Sequence, residues 1–174
     1  AHASADPDEL AANLIRGAFE YQGQKCSAAS RAYIPESLWS GLRDRLCGEV
    51  ESIPCGDISD FTNFMGAVID KATFDKLEGY IAAAKSDSGA DVICGGGCDD
   101  STGYFIEPTI IQAHDPRYTT METELFGPVL TIHVYKDSDY AQTLELCDST
   151  SPYALTGAIF GRDRKAINLA HSTL

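Results

Sequence analysis

One cysteine in this chain stands where chemistry could use it. Cys26 lies in YQGQKCSAASRAYIP, residues 21–35, in a short polar loop between a helix-like run and a strand-like run. It falls outside any periodic apolar face, has Lys25 beside it, and is followed by the small residues Ser27, Ala28 and Ala29. A free thiol ionises near pH ~8.5, and an adjacent cation or oriented N–H groups lower that value. Small neighbours also let the backbone N–H of Cys26 approach an oxyanion. The loop admits four readings of Cys26: a nucleophile, a metal ligand, half of a disulfide, or a small buried hydrophobe.

A second stretch, METELFGPVLTIHVY at residues 121–135, sets two acidic residues, Glu122 and Glu124, ahead of Leu125-Phe126-Gly127-Pro128 and an apolar run. A glutamate can grip two vicinal hydroxyls, and a phenylalanine can wall one side of a flat ring. The plainer alternative is a helix end and a turn, with Phe126 in the core. The four histidines are His2, His114, His133 and His171. His133 alternates with Ile132 and Val134 in a strand-like run, so it is either structural or a base for Cys26 in a thiol hydrolase.

CGGGCDDSTGY, residues 94–104, invites a phosphate loop or a zinc site. The first fails because G-x-G-x-x-G spacing needs glycine where Asp100 stands, and a strand rather than a helix follows. The second fails because Cys94 and Cys98 lack a second ligand pair, so no metal is expected. A tight turn between strands remains. The other cysteines, at 47, 55 and 147, complete a set of six. Cys47 and Cys147 lie on apolar helix faces. In a chain of this size with an apolar core pattern, the set reads as free thiols in a reducing compartment.

The elements that must position these residues follow from periodicity. Asp6-Pro7-Asp8-Glu9 is a helix start with Asp6 as cap and Glu9 placed for a capping box, followed by Leu10, Leu14, Ala18 and Phe19 on one face and Gly23 as stop. SRAYIP is a short strand. Glu36 to Val50 is a helix with Leu38, Leu42, Leu46 and Val50 aligned. A third helix from Asp70 aligns Phe74, Leu77, Ile81 and Ala84. DVICGGG, YFIEPTII, VLTIHVY and ALTGAIF read as strands, and Asp137 to Thr150 and RDRKAINLAHSTL as helices. Apolar strands alternating with amphipathic helices predict an α/β fold, a mostly parallel sheet flanked by helices, over a single domain at 1–174. The sheet is expected to be incomplete at both ends.

The charge is −13, from 26 acidic against 13 basic residues, with no Lys/Arg cluster. Such a surface repels phosphate backbones and anionic bilayers, so neither nucleic acid nor membrane is an expected partner. No apolar run approaches the ~20 residues of a membrane span. AHASADPDEL has neither a basic n-region nor an apolar h-region, so no secretory signal is expected within it.

Taken together, GQKCSAASRAYIP, GGGCDDSTGYFIEPTI, ELFGPVL and YALTGAIF resemble the aldehyde dehydrogenase superfamily, and within it the branch that oxidises L-glutamate 5-semialdehyde in proline breakdown. Glu124 stands 98 positions after Cys26, about the separation the family shows. The resemblance implies an aldehyde-dehydrogenase-like catalytic domain with Cys26 as nucleophile and NAD as cofactor. It implies that Glu124 holds the nicotinamide ribose with Phe126 packing nearby, and that Ser27 contacts the substrate's amino-acid head group. It implies a small-molecule substrate, a homo-oligomeric parent protein, and a home in the bacterial cytoplasm or the mitochondrial matrix. The family's general base, its oxyanion asparagine and its cofactor domain lie upstream of its cysteine, and no matching segment is present here. A partial catalytic domain, inactive in isolation, is therefore expected. Two other readings stand beside it: a non-catalytic assembly module, and the hydrolase pairing Cys26 with His133.

Overall fold

Asp6 alone makes the first cap. Its carboxylate accepts from the N–H groups of Asp8 (2.9 Å) and Glu9 (3.2 Å), with Pro7 in the first turn. These are donors that a helix start otherwise leaves unpaired. The computed structural model describes residues 1–174. Helix α1 (Pro7–Phe19) buries Leu10, Ala11, Leu14, Ala18 and Phe19. It stops at Phe19 and not at Gly23, because Tyr21 (φ 57°), Gln22 (φ 57°) and Gly23 (φ 64°) turn left-handed in succession.

Strand β1 (Arg31–Pro35) leads directly into α2 (Glu36–Glu51), which buries Leu42, Leu46 and Val50. Helix α3 (Lys71–Ser86) is capped by Asp70, which accepts from the N–H of Thr73 at 2.8 Å, and it buries Phe74, Leu77, Ile81 and Ala84. Strands β2 (Ala90–Cys94), β3 (Cys98–Asp99), β4 (Phe105–Ile106) and β5 (Thr109–Ala113) follow. A short helix α4 (Thr119–Glu122), strand β6 (Val129–Tyr135), and helices α5 (Tyr140–Ser149) and α6 (Arg164–Thr173) complete the order. A 3-10 turn at Asp137–Asp139 precedes α5.

The main sheet runs β1-β6-β5-β2. β1 and β5 both lie parallel to β6, whereas β2 is antiparallel to β5. Period-two alternation divides the side chains between two faces. One face, with Ala32, Ile34, Ile110, Leu130 and Ile132, packs under α1 and α2. On the other, Ile111 and Val129 meet α3, while Tyr33, Ala113 and Tyr135 meet the α5 side. Each aliphatic side chain buried there contributes about 1.5–3 kcal/mol.

YFIEPTII divides into two strands. Pro108 has no N–H for a ladder. Phe105–Ile106 turns aside to pair with Cys98–Asp99, while Thr109 onward joins the main sheet. The glycine run between β2 and β3 is a closed turn. The Gly96 N–H donates to Thr109 Oγ1 (2.9 Å), the Gly97 N–H donates to Glu107 Oε2 (2.8 Å), and Lys85 donates to the Gly96 carbonyl (2.7 Å). The Gly96 and Gly97 amides are thus taken by protein acceptors, one a carboxylate, which disfavours a phosphate there.

ALTGAIF is not a strand. Residues 154–160 pair with no other strand, and Leu155 (70%) and Ile159 (39%) face solvent. β-propensity is a preference for a pleated, half-buried surface, and it has no effect without a neighbouring ladder. The Phe160 carbonyl instead accepts from the N–H of His2 at 2.8 Å.

Candidate active site

The cysteine loop and the Glu124 segment meet at one cleft. It is narrow, with about 10 Å³ of enclosed space, opens to solvent, and is lined from one side by Gly23, Lys25 and Ala28 and from the other by Thr123, Glu124 and Phe126. Both segments lie at the amino ends of adjacent parallel strands, the loop ahead of β1 and the Gly127-Pro128 turn ahead of β6. This is the opposite end from the usual ligand crevice of open α/β sheets, which lies outside the carboxyl ends.

Cys26 and Ser27 occupy the tip of the loop, between two residues that line the cleft, and both are exposed. The loop around them is tied on every side. The Ala29 N–H donates to the Gly17 carbonyl (2.9 Å), the Ala28 N–H to the Lys25 carbonyl (3.0 Å), and the Ser30 carbonyl accepts from Thr131 (3.0 Å). The N–H of Cys26 donates to no backbone carbonyl. The cation next to the cysteine is already engaged, since Lys25 Nζ donates to Glu20 at 2.8 Å. Hydrogen bonding from Lys25, with its charge and that of Arg16, holds the Glu20 carboxyl below its usual range. The cation that the sequence sets beside Cys26 is thus paired with Glu20.

Across the cleft, the two acidic candidates separate. Glu122 is met by Arg117 at 3.4 Å. Glu124 is exposed and enters none of the chain's ion pairs. Leu125 is buried, while the Phe126 side chain is 42% exposed on a backbone at φ 60°. A left-handed non-glycine residue costs about 1–2 kcal/mol. Phe126 is thus turned out of the core, against the plainer reading of it as a core residue. A free carboxylate beside an outward aromatic suits a ring-bearing ligand with vicinal hydroxyls, and the nicotinamide-ribose end of NAD has that chemistry.

His133 is elsewhere. It lies on β6 level with Tyr33, two register positions beyond Thr131, which pairs with Arg31 at the start of β1. It lines a separate groove with Tyr135, Lys136, Asp139 and Gln142, and its Nδ1 lies 3.2 Å from the Ala113 carbonyl. Burial lowers its pKa. The structure does not bring it to Cys26.

Several positioning contacts escaped sequence reasoning. Gly23 packs against the backbone of Gly127, and Gly127 against the side chain of Leu77. Thr131 Oγ1 donates to Thr120 Oγ1 at 2.8 Å in a buried bond that ties α4 to β6 just ahead of Glu124. Gln22 and Gln24 reach to Ala67 and Ile69. Only the glycines carried a signal, as residues that permit close backbone approach.

Comparison with known proteins identifies the family. A profile described as the aldehyde dehydrogenase family matches residues 1–174. The chain is 56% identical over 173 residues to the mitochondrial delta-1-pyrroline-5-carboxylate dehydrogenase of Dictyostelium discoideum, covering 99% of this chain and 31% of that protein. The human mitochondrial enzyme of the same name is 45% identical over 174 residues, with 99% and 31% covered. The Mycobacterium tuberculosis delta-pyrroline-5-carboxylate dehydrogenase, solved bound with NAD, superposes with a TM-score of 0.91 at 46% identity, covering 99% of this chain and 31% of that one. This chain thus spans about 31% of the length of these relatives. With the family profile matched from residue 1 to residue 174 and the cysteine loop facing Glu124 and Phe126 across one cleft, the chain belongs to the aldehyde dehydrogenase family.

Proposed function

We propose that this chain carries the nucleophile and part of the cofactor site of an NAD-dependent dehydrogenase that oxidises L-glutamate 5-semialdehyde to L-glutamate, in the breakdown of proline. The observation that supports this most is the cleft that sets the exposed Cys26 loop against the free carboxylate of Glu124 and the outward ring of Phe126. The relatives named above carry the corresponding activity in their names.

Each residue has a definite task. The Cys26 sulfur adds to the aldehyde carbon, and its backbone N–H, free of any backbone acceptor, donates toward the developing oxyanion. NAD, when bound, supplies the hydride acceptor. Glu124 would accept hydrogen bonds from the ribose hydroxyls, and Phe126 would pack beside the ring, which together would aim the acceptor at the adduct on Cys26. Loss of hydride from that thiohemiacetal leaves a thioester on Cys26, and water releases it as the carboxylate. Ser27, adjacent and exposed, offers its hydroxyl to the amino-acid end of the substrate. The parent enzyme works as a homo-oligomer in a reducing compartment, the mitochondrial matrix or the bacterial cytoplasm, where six unpaired thiols persist.

The test is NADH formation from glutamate 5-semialdehyde by the full-length protein, before and after Cys26→Ala. The substitution removes one exposed sulfur and leaves the fold intact, so turnover is expected to vanish while NAD affinity stays within about threefold. Turnover that survives in Cys26→Ala would rule out the covalent role.

A further inference from the structure

The residues flanking Gly23 share an arrangement that the reaction chemistry above does not use. Gln22 Nε2 donates to the Ala67 carbonyl at 3.2 Å, and Gln24 Oε1 accepts from the Ile69 N–H at 2.9 Å. Both side chains land 45 residues away in sequence, on alternate residues of one short stretch of backbone. The partners fix the orientation of each amide, since a carbonyl can only accept and an N–H can only donate.

That stretch is itself anchored. Val68 between the two contacts is buried, and its N–H donates to the Tyr104 carbonyl at 2.8 Å. Asp70 follows at once and caps α3. Further along the same helix, Leu77 packs against Gly127, where an added Cβ would overlap its side chain. Helix α3 therefore carries at its start the anchor for the cysteine loop and in its middle the packing surface for the Glu124–Gly127 turn.

The loop needs such an anchor. Tyr21 and Gln22 are both left-handed at φ 57°, a conformation that residues with a Cβ leave readily unless the surroundings hold them. We propose that Gln22 and Gln24 are positioning residues for Cys26: a two-point clamp on Ala67–Ile69 that holds the left-handed turn and so keeps the cysteine loop in register with the Glu124–Phe126 side of the cleft. The proposal rests on the dehydrogenase reading for its effect on turnover, whereas its effect on loop order is independent of that reading.

The experiment is Gln24→Met in the full-length protein, which keeps the side chain's length and removes the acceptor for Ile69, beside Gln24→Glu, which keeps the acceptor. Two readouts are taken: backbone hydrogen exchange of residues 24–30, and steady-state kinetics. Gln24→Met should raise exchange in that loop at least about tenfold with the rest of the chain unchanged, and lower kcat about tenfold while both KM values stay within about threefold. Gln24→Glu should restore both toward the wild type. Unchanged exchange in Gln24→Met overturns the clamp, and faster exchange with unchanged kcat overturns its positioning role. If Gln24→Met does not fold, Gln22→Met is judged by the same two readouts and the same thresholds. A wild-type protein without turnover sinks the dehydrogenase reading, and the exchange data still decide whether the clamp holds the loop.

Discussion

Gly23 and Gly127 meet backbone to backbone: a Cβ on Gly23 would lie 2.8 Å from the carbonyl carbon of Gly127 and 2.7 Å from the carbonyl oxygen of Ala18. Gly23 is also left-handed at φ 64°. The cysteine loop and the Glu124 turn can face one cleft only because no side chain separates them there.

Gly23→Ala therefore meets two penalties, a strained φ and an overlap with backbone that cannot swing aside. Together they should destabilise the fold by about 2–4 kcal/mol. Urea unfolding of the full-length protein measures this. An unchanged midpoint would mean that the two segments part without cost.

Alkylation should discriminate among five of the six cysteines. Burial pushes the thiols of Cys55, Cys98 and Cys147 up, and that of Cys94 up to about 12. Cys55 is exposed as a residue, yet neighbouring protein still desolvates its sulfur. Brief treatment with iodoacetamide near pH ~8 should label Cys26 first among these five and Cys94 last. Peptide mapping reads the order, and equal labelling of all five would contradict the exposure pattern.

Glu124→Gln keeps the size of the side chain and removes its charge. Charge-assisted hydrogen bonds to two ribose hydroxyls contribute on the order of 1.5–3 kcal/mol. In the role proposed for Glu124, the loss should appear mainly as slower hydride transfer, since the ring would no longer be aimed at the Cys26 adduct. A single-turnover rate equal to that of the wild type would count against the assignment.

His133 should leave a mark on stability and none on the chemistry. Burial holds its pKa below the usual 6.5, although its contact with the Ala113 carbonyl and the charge of Asp115 oppose the shift. Below pH 6.5 the unfolded chain then binds this proton more readily than the folded chain does. Stability is therefore complete above that value and falls as the pH drops through it toward the folded pKa. His133→Gln should flatten this part of the curve in urea midpoints compared between about pH 5 and 7. A wild-type slope retained in the variant would show that other groups cause it.

The 174-residue polypeptide on its own should self-associate. Tyr153 (66% exposed) and Leu155 (70% exposed) belong to a run of strand-forming residues with no ladder partner, a hazard for intermolecular pairing. Leu155→Lys should shift sedimentation toward monomer, and an already monomeric wild-type polypeptide would refute the idea. The same polypeptide should show no dehydrogenase turnover, because in the proposed roles Glu124 and Phe126 would touch only one end of a long cofactor, too little to offset the ~4 kcal/mol or more that immobilising it costs.

The parts of this protein that depend on interactions within a turn or two were determined by the sequence itself. The caps at Asp6 and Asp70, the apolar stripes of α1 to α3, the place of Cys26 in a polar loop and the order of the motifs all rest on periodicity or on contacts a few residues apart. What only the tertiary structure decided depends on partners far along the chain. Tyr21 and Gln22 turn left-handed although nothing in their own chemistry favours it, and the side chains of Gln22 and Gln24 bond to Ala67 and Ile69, 45 residues further along the chain. Lys25 pairs with Glu20, and Glu124 rather than Glu122 is left free because Arg117 lies within reach of Glu122. ALTGAIF reads as a strand by composition and is none, since a strand is a property of a ladder and not of one segment. Short-range order follows from residue types, but the geometry of the cleft is made of long-range contacts whose partners no local pattern names.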